Sequence, residues 1–215
     1  MTSGEQRPCG YANPRAARPE QRRWRWASPP ALLGPLLAEF AARLNPREHY
    51  VVRLLSRHQG FMMTASNRRR IRNLADVARL RLRFVNRERG SGTRLLFDAL
   101  LASQRLKPSE IVGYDREEFT HMATAATVRA GMADVAFGIE AAARAHQLAF
   151  VGLVTERYYL ACRRSAPARI AVDTMVATAR GDTFRRAIAR VGGYDCDASG
   201  DRVHLADLFG GRQQD

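Results

Sequence analysis

Gly90-Ser91-Gly92-Thr93-Arg94 concentrates hydroxyls, two glycines and a cation within five residues, and Arg89 adds a second charge. Where such a run opens a helix, its exposed N–H groups and side chains suit an anionic ligand. Two further points have similar chemistry. Thr120 and His121 follow the acidic run Asp115 to Glu118, and carboxylates favour the positive end of a helix. Gly138 lies at the end of the apolar stretch Val135-Ala136-Phe137, just before Glu140. The candidate ligand-binding residues are therefore Arg89, Ser91, Gly92, Thr93, Arg94, Thr120, His121 and Gly138. A plain helix cap is the other reading of the first loop, and a capping segment is the other reading of the second.

Known phosphate motifs do not fit. No Lys follows Gly92, and the third Gly of a dinucleotide fingerprint is missing. His121 beside Glu117 and Glu118 has the residue types of an acid–base pair. The spacing supports neither a nucleophile–base pair nor a metal cluster, so no catalytic residue, metal or cofactor is assigned.

The elements that must hold these residues are read from periodicity. Alternation over Leu80 to Val85 predicts a strand into the Gly90 loop, and Leu95, Leu96, Ala99 and Leu100 predict a helix after it. Strands are expected at 50–55, 60–63, 111–114, 135–139, 149–154 and 158–162. Helices are expected at 32–44, 74–80, 120–130, 140–146, 171–180 and 182–190. Alternating strands and helices imply an α/β core with a mostly parallel sheet, whose ligands gather at the carboxyl ends of strands.

The chain has 215 residues and a net charge of +14, carried almost wholly by arginine, since Lys107 is its only lysine. Basic clusters at Arg22, Arg23 and Arg25 and at Arg68, Arg69, Arg70 and Arg72 raise nucleic-acid binding as an alternative function. No recognition motif accompanies them. Cys9, Cys162 and Cys196 form neither a disulfide framework nor a zinc spacing, and Cys162 reads as a buried thiol. A reducing cytoplasmic setting is expected. The apolar stretch from Ala31 to Ala42 is broken by Gly34-Pro35 and Glu39, so no membrane partner is expected.

Several of these motifs recur together. Phe84-Val85-Asn86-Arg87, the Gly90 to Arg94 loop, Glu118-Phe119-Thr120-His121, Gly131 with Ala133-Asp134, and Gly138-Ile139 occur in this order and spacing in one family. The chain resembles the periplasmic-binding-protein-like ligand domain of molybdate- and molybdopterin-associated bacterial regulators, itself similar to the LysR substrate-binding domain. The resemblance implies an α/β, periplasmic-binding-protein type II-like fold with a complete second lobe and a partial, truncated first lobe. Residues 1–30 would be a disordered basic leader, 31–83 a remnant of the first lobe and hinge, 84–157 the second lobe, and 158–215 the return to the first lobe with C-terminal helices. It further implies a non-catalytic sensor of a small anionic ligand, an oxyanion such as molybdate or tungstate or a molybdenum-cofactor-related compound. DNA would be reached only through a fused or separate helix-turn-helix domain not evident here, and a homodimer is compatible with the reading. An enzyme on the same lobed fold is the remaining alternative.

Overall fold

Two strands of fifteen residues each organise the protein. A computed structural model describes residues 22–27 and 43–209. In chain order the strands are β1 (Arg22–Ala27), β2 (His49–Met63), β3 (Phe84–Arg87), β4 (Glu117–Glu118), β5 (Val135–Ile139), β6 (Ala149–Arg163), β7 (Tyr194–Asp195) and β8 (Arg202–Val203). The α-helices among the described residues are α1 (Leu74–Arg79), α2 (Gly92–Ser103), α3 (His121–Arg129), α4 (Glu140–Ala145), α5 (Ala166–Arg180), α6 (Asp182–Val191) and α7 (Leu205–Phe209). One open sheet runs β1-β6-β2-β5-β3-β4, with β7 and β8 also paired to β2.

The long strands β2 and β6 are antiparallel to each other, and β2 is antiparallel to β5. Among the described residues, only the β5–β3 and β3–β4 pairs are parallel. The sheet is thus mixed, correcting the mostly parallel expectation. The cause lies inside β2 and β6. Ser56-Arg57-His58-Gln59 and Thr155-Glu156-Arg157 look like loops in the sequence, yet they pair across the sheet and continue both strands. What looked like four short strands is two long ones, and the expected lobe boundary at 157/158 falls within β6.

Each half of this strand pair carries its own core. Over Gln59–Met63 the alternation splits two faces. Phe61 and Met63 join Phe84, Phe97 and Phe137 under α1 and α2. Met62 joins Val85 and Ala136 under α3 and α4. Over the other half, Val51, Tyr159 and Ala161 pack with Leu205 of α7. Tyr50, Val52, Leu160 and Cys162 pack with Val172 of α5. Burial pushes the Cys162 thiol up to about 11, so it is an inert core thiol, as its strand position suggested.

Local signals place the first three helices. Asn73, Ser91 and Thr120 each accept a hydrogen bond from the backbone three residues on, satisfying an N–H that the helix itself leaves unpaired. Three expectations are corrected. The 111–114 segment is not a strand: a 3-10 turn at Pro108–Glu110 precedes it, and the edge strand is β4. Part of the expected leader forms β1, antiparallel to β6, in keeping with the period-two Arg-Trp-Arg-Trp pattern of 23–26. The strand expected over 81–85 begins only at Phe84, because Arg81 takes a positive φ of 49° in the preceding turn. The helix expected at 32–44 lies almost wholly outside the described residues.

An ion pair fixes the start of β3. Arg83 donates to both oxygens of Asp134, at 2.8 and 3.1 Å, and its backbone N–H donates to the same carboxylate. The Arg83 guanidinium holds the Asp134 carboxyl below the usual carboxylate range. A depressed folded-state pKa means the stabilisation is full above the unfolded value of about 3.9 and fades as the pH falls below it. Urea midpoints should therefore separate wild type from Asp134→Asn at pH 7, with the gap closing near pH 3.

Candidate functional site

The α2 N-terminus sits where β3 ends. Gly90 takes a φ of 83°, a left-handed turn that glycine adopts without strain. Ser91 then caps the helix, its hydroxyl accepting from the Arg94 N–H at 3.2 Å. The first intrahelical bond runs from the Leu95 N–H to the Ser91 carbonyl, 3.0 Å. The Gly92 and Thr93 N–H groups precede it and point out of the helix end. Thr93 is 1% exposed, and its hydroxyl has no hydrogen-bond partner among the described residues.

The two arginines of this loop are otherwise engaged. Arg94 is buried, forms ion pairs with Asp98 at 3.2 Å and Glu117 at 3.1 Å, and donates to the Arg87 carbonyl at 3.3 Å. Its guanidinium also lies 4.0 Å from the centre of the Tyr114 ring. Burial works against that charge, but Tyr114 and Asp98 outweigh it and raise the Arg94 pKa. Arg89 is mostly exposed and pairs with Asp115 at 3.1 Å and Glu117 at 3.3 Å. Both cations bind the acidic run before α3 and clamp the two junctions together.

The second junction is set by Arg87, which belongs to the recurring Phe84–Arg87 motif but not to the candidate ligand-binding residues. Arg87, 1% exposed at the end of β3, donates to the Glu118 carbonyl at 3.2 Å and the Phe119 carbonyl at 2.9 Å. That presents Thr120 as the α3 cap, accepting from the Ala123 N–H at 2.9 Å, and leaves Phe119 73% exposed beside it. Glu118 accepts from the Thr127 hydroxyl at 2.7 Å. His121 is buried against β5. The carboxylates expected near His121 are thus engaged in ion pairs or hydrogen bonds.

Gly138 has a packing task at the end of β5. A Cβ there would stand 2.6 Å from the Met62 methyl and 3.6 Å from His121 Nδ1. The missing side chain makes room for the Met62 core contact and His121. The helix that follows, α4, begins with Glu140, which accepts from His58 at 3.0 Å and Arg144 at 2.8 Å.

A further polar cluster lies midway along β2 and β6, between the two core regions. Glu156 accepts from Arg57 Nε at 2.6 Å and from Gln59 Nε2 at 2.7 Å. Arg57 and Glu156 are 6% and 4% exposed, and Gln59 is fully buried. Burial opposes the Arg57 charge, and Glu156 more than offsets that, so the guanidinium pKa is raised. A recognisable signal was present: charged residues flanked by apolar runs that pair as strand. Elsewhere, Arg69, Arg70, Arg72 and Arg79 line a shallow surface recess around Asp76. Among the described residues, no three His, Cys, Asp or Glu side chains group as a metal site, and no helix is long and apolar enough to cross a membrane.

A mixed open sheet with helices on both faces, polar junctions at the parallel strand ends and two long strands shared by both cores matches a known architecture. The family model for the PBP superfamily domain covers residues 36–180. The chain belongs to the PBP superfamily. It is 31% identical over 126 residues to the uncharacterized protein YvgK of Bacillus subtilis, spanning 58% of this chain and 41% of YvgK. It is 30% identical over 107 residues to an uncharacterized protein from the ferredoxin 2Fe-2S gene 5′ region of Clostridium pasteurianum, covering 49% of this chain and 95% of that protein. Among solved structures, a hydrogen-peroxide-bound OxyR mutant from Corynebacterium glutamicum aligns with a TM-score of 0.52 at 13% identity, over 79% of this chain and 51% of that one. At that identity the likeness concerns the fold. The neighbours of this PBP-superfamily chain thus share its mixed α/β architecture.

Proposed function

We propose that this domain is a non-catalytic sensor that binds a small anionic ligand at the carboxyl ends of β3 and β5, within a cytoplasmic transcriptional regulator. The observation that carries the reading is Thr93. Its buried hydroxyl lacks a partner among the described residues, beside the Gly92 and Thr93 N–H groups at the positive end of a twelve-residue helix. Ser91 and Thr120 complete the two junctions as caps, while Arg89 and Arg94 hold the loops in place and are not the main ligand charge. The family resemblance supplies the first probes, molybdate and tungstate. Engagement of Glu117 by two arginines and of Glu118 by Thr127 favours a binding role over acid–base catalysis.

Isothermal titration with molybdate, tungstate, phosphate and short carboxylates tests the proposal. One-site binding of at least one of these anions is the expected result. A protein that is folded by circular dichroism and binds none of them would overturn it.

A further inference from the structure

Three buried polar atoms have no hydrogen-bond partner among the described residues: Thr93 Oγ1 of α2, and Gln59 Oε1 and Arg57 Nη2 of β2. Their placement follows from the strand register. Phe61 pairs with Phe137, and Gln59 pairs with Ile139, two residues further along β5. Phe97 of α2 packs on Phe137 with ring centres 5.5 Å apart, and on Phe84 at 4.6 Å. Thr93 precedes Phe97 by four residues, so it lies on the same helix face about 5.4 Å nearer the helix start. A helix following a strand runs back along it, so that start lies towards the carboxyl ends of β3 and β5. Moving from Phe137 to Ile139 along β5 is a similar step of about 6.6 Å. Thr93 and Gln59 therefore share one level, just beyond the phenylalanine layer. Arg57 stands two residues further along β2 on the same face, with its Nε and Gln59 Nε2 both on one Glu156 oxygen.

The chemistry of these atoms is specific. An ionised carboxylate only accepts hydrogen bonds, so the Gln59 amide must turn its nitrogen to Glu156. Its oxygen is then fixed as an acceptor facing away from Glu156. Arg57 Nη2 can only donate, and the Thr93 hydroxyl can do either. We propose that Thr93, Gln59 and Arg57 form one recognition surface for an organic anion carrying an N–H or O–H donor beside its negative charge. This rests on the anion-binding reading above and narrows its ligand class. A bare tetrahedral dianion would engage Arg57 and Thr93 but offers nothing to Gln59 Oε1. A hydroxy or amino acid matches all three.

The test compares propionate, lactate, alanine and molybdate by titration against the full chain. The expected result is at least one of lactate and alanine bound roughly tenfold more tightly than propionate, the effect of one added hydrogen bond to a buried acceptor. In Gln59→Met, checked for folding by circular dichroism, that preference should vanish while propionate affinity changes little. Equal binding of all three organic acids, or binding of molybdate alone, would overturn this inference and leave the anion-binding reading standing. Binding of none of the four would overturn the inference, and the wider anion panel above decides the parent reading separately. Should Gln59→Met fail to fold, the wild-type comparison of lactate, alanine and propionate still decides.

Discussion

Glu156→Leu is expected to cost about 3–5 kcal/mol of unfolding free energy, because it leaves a buried charge without its partner. Glu156 is the carboxylate on Arg57 and also accepts from Gln59, at 2.6 and 2.7 Å. Removing it strands a guanidinium that is 6% exposed, with the Tyr158 ring 5.0 Å away as one remaining favourable contact. That ring contributes roughly 0.5–2 kcal/mol to a nearby cation, too little to replace a buried ion pair. The loss should appear as a fall in melting temperature on the order of 10 °C for a chain of this size. A double variant, Arg57→Met with Glu156→Leu, removes both charges and should recover part of the loss, because the cost comes from the orphaned charge. Urea unfolding of wild type, the single variant and the double variant measures this directly. A double variant less stable than the single one would show that the pair acts through packing instead.

The same pair marks the limit of what the chain discloses before folding. Asn73, Ser91 and Thr120 could be recognised as caps because each bond closes within three residues. Gly90 and the helix after it were legible for the same reason. Arg57 and Gln59 reach their partner across 99 and 97 residues, so only the sheet register brings them together. Without that register, their polarity suggests a loop and divides each long strand in two. Arg87 illustrates the same point. It reads as the polar end of a strand, yet it is buried because two carbonyls more than thirty residues later accept its protons. Arg94 differs again: its charge suits an anion, and its pairing with Glu117, 23 residues away, is equally hidden in the sequence. Strand direction was also hidden, since a fully buried strand such as β5 shows the same apolar run whether its neighbour is parallel or antiparallel.

Thr93→Val should move stability and ligand binding in opposite directions. The substitution keeps the shape and β-branching of the side chain and deletes a hydroxyl that is 1% exposed and without a partner among the described residues. A buried hydroxyl left unpaired costs about 1–3 kcal/mol, so the ligand-free variant should gain about 1 kcal/mol and melt about 2–4 °C higher. The anion that wild type binds should be held at least tenfold more weakly, because the group that stabilises it has gone. Ser91→Ala provides the contrast. Loss of its cap bond to the Arg94 N–H should cost about 1 kcal/mol, lowering stability instead of raising it. A residue that weakens the empty fold and strengthens the liganded one is the pattern expected where stability has been exchanged for function. Scanning calorimetry and titration of the same samples measure both effects. A Thr93→Val protein that melts lower than wild type and binds the anion unchanged would make Thr93 a packing residue and place the ligand elsewhere on the sheet.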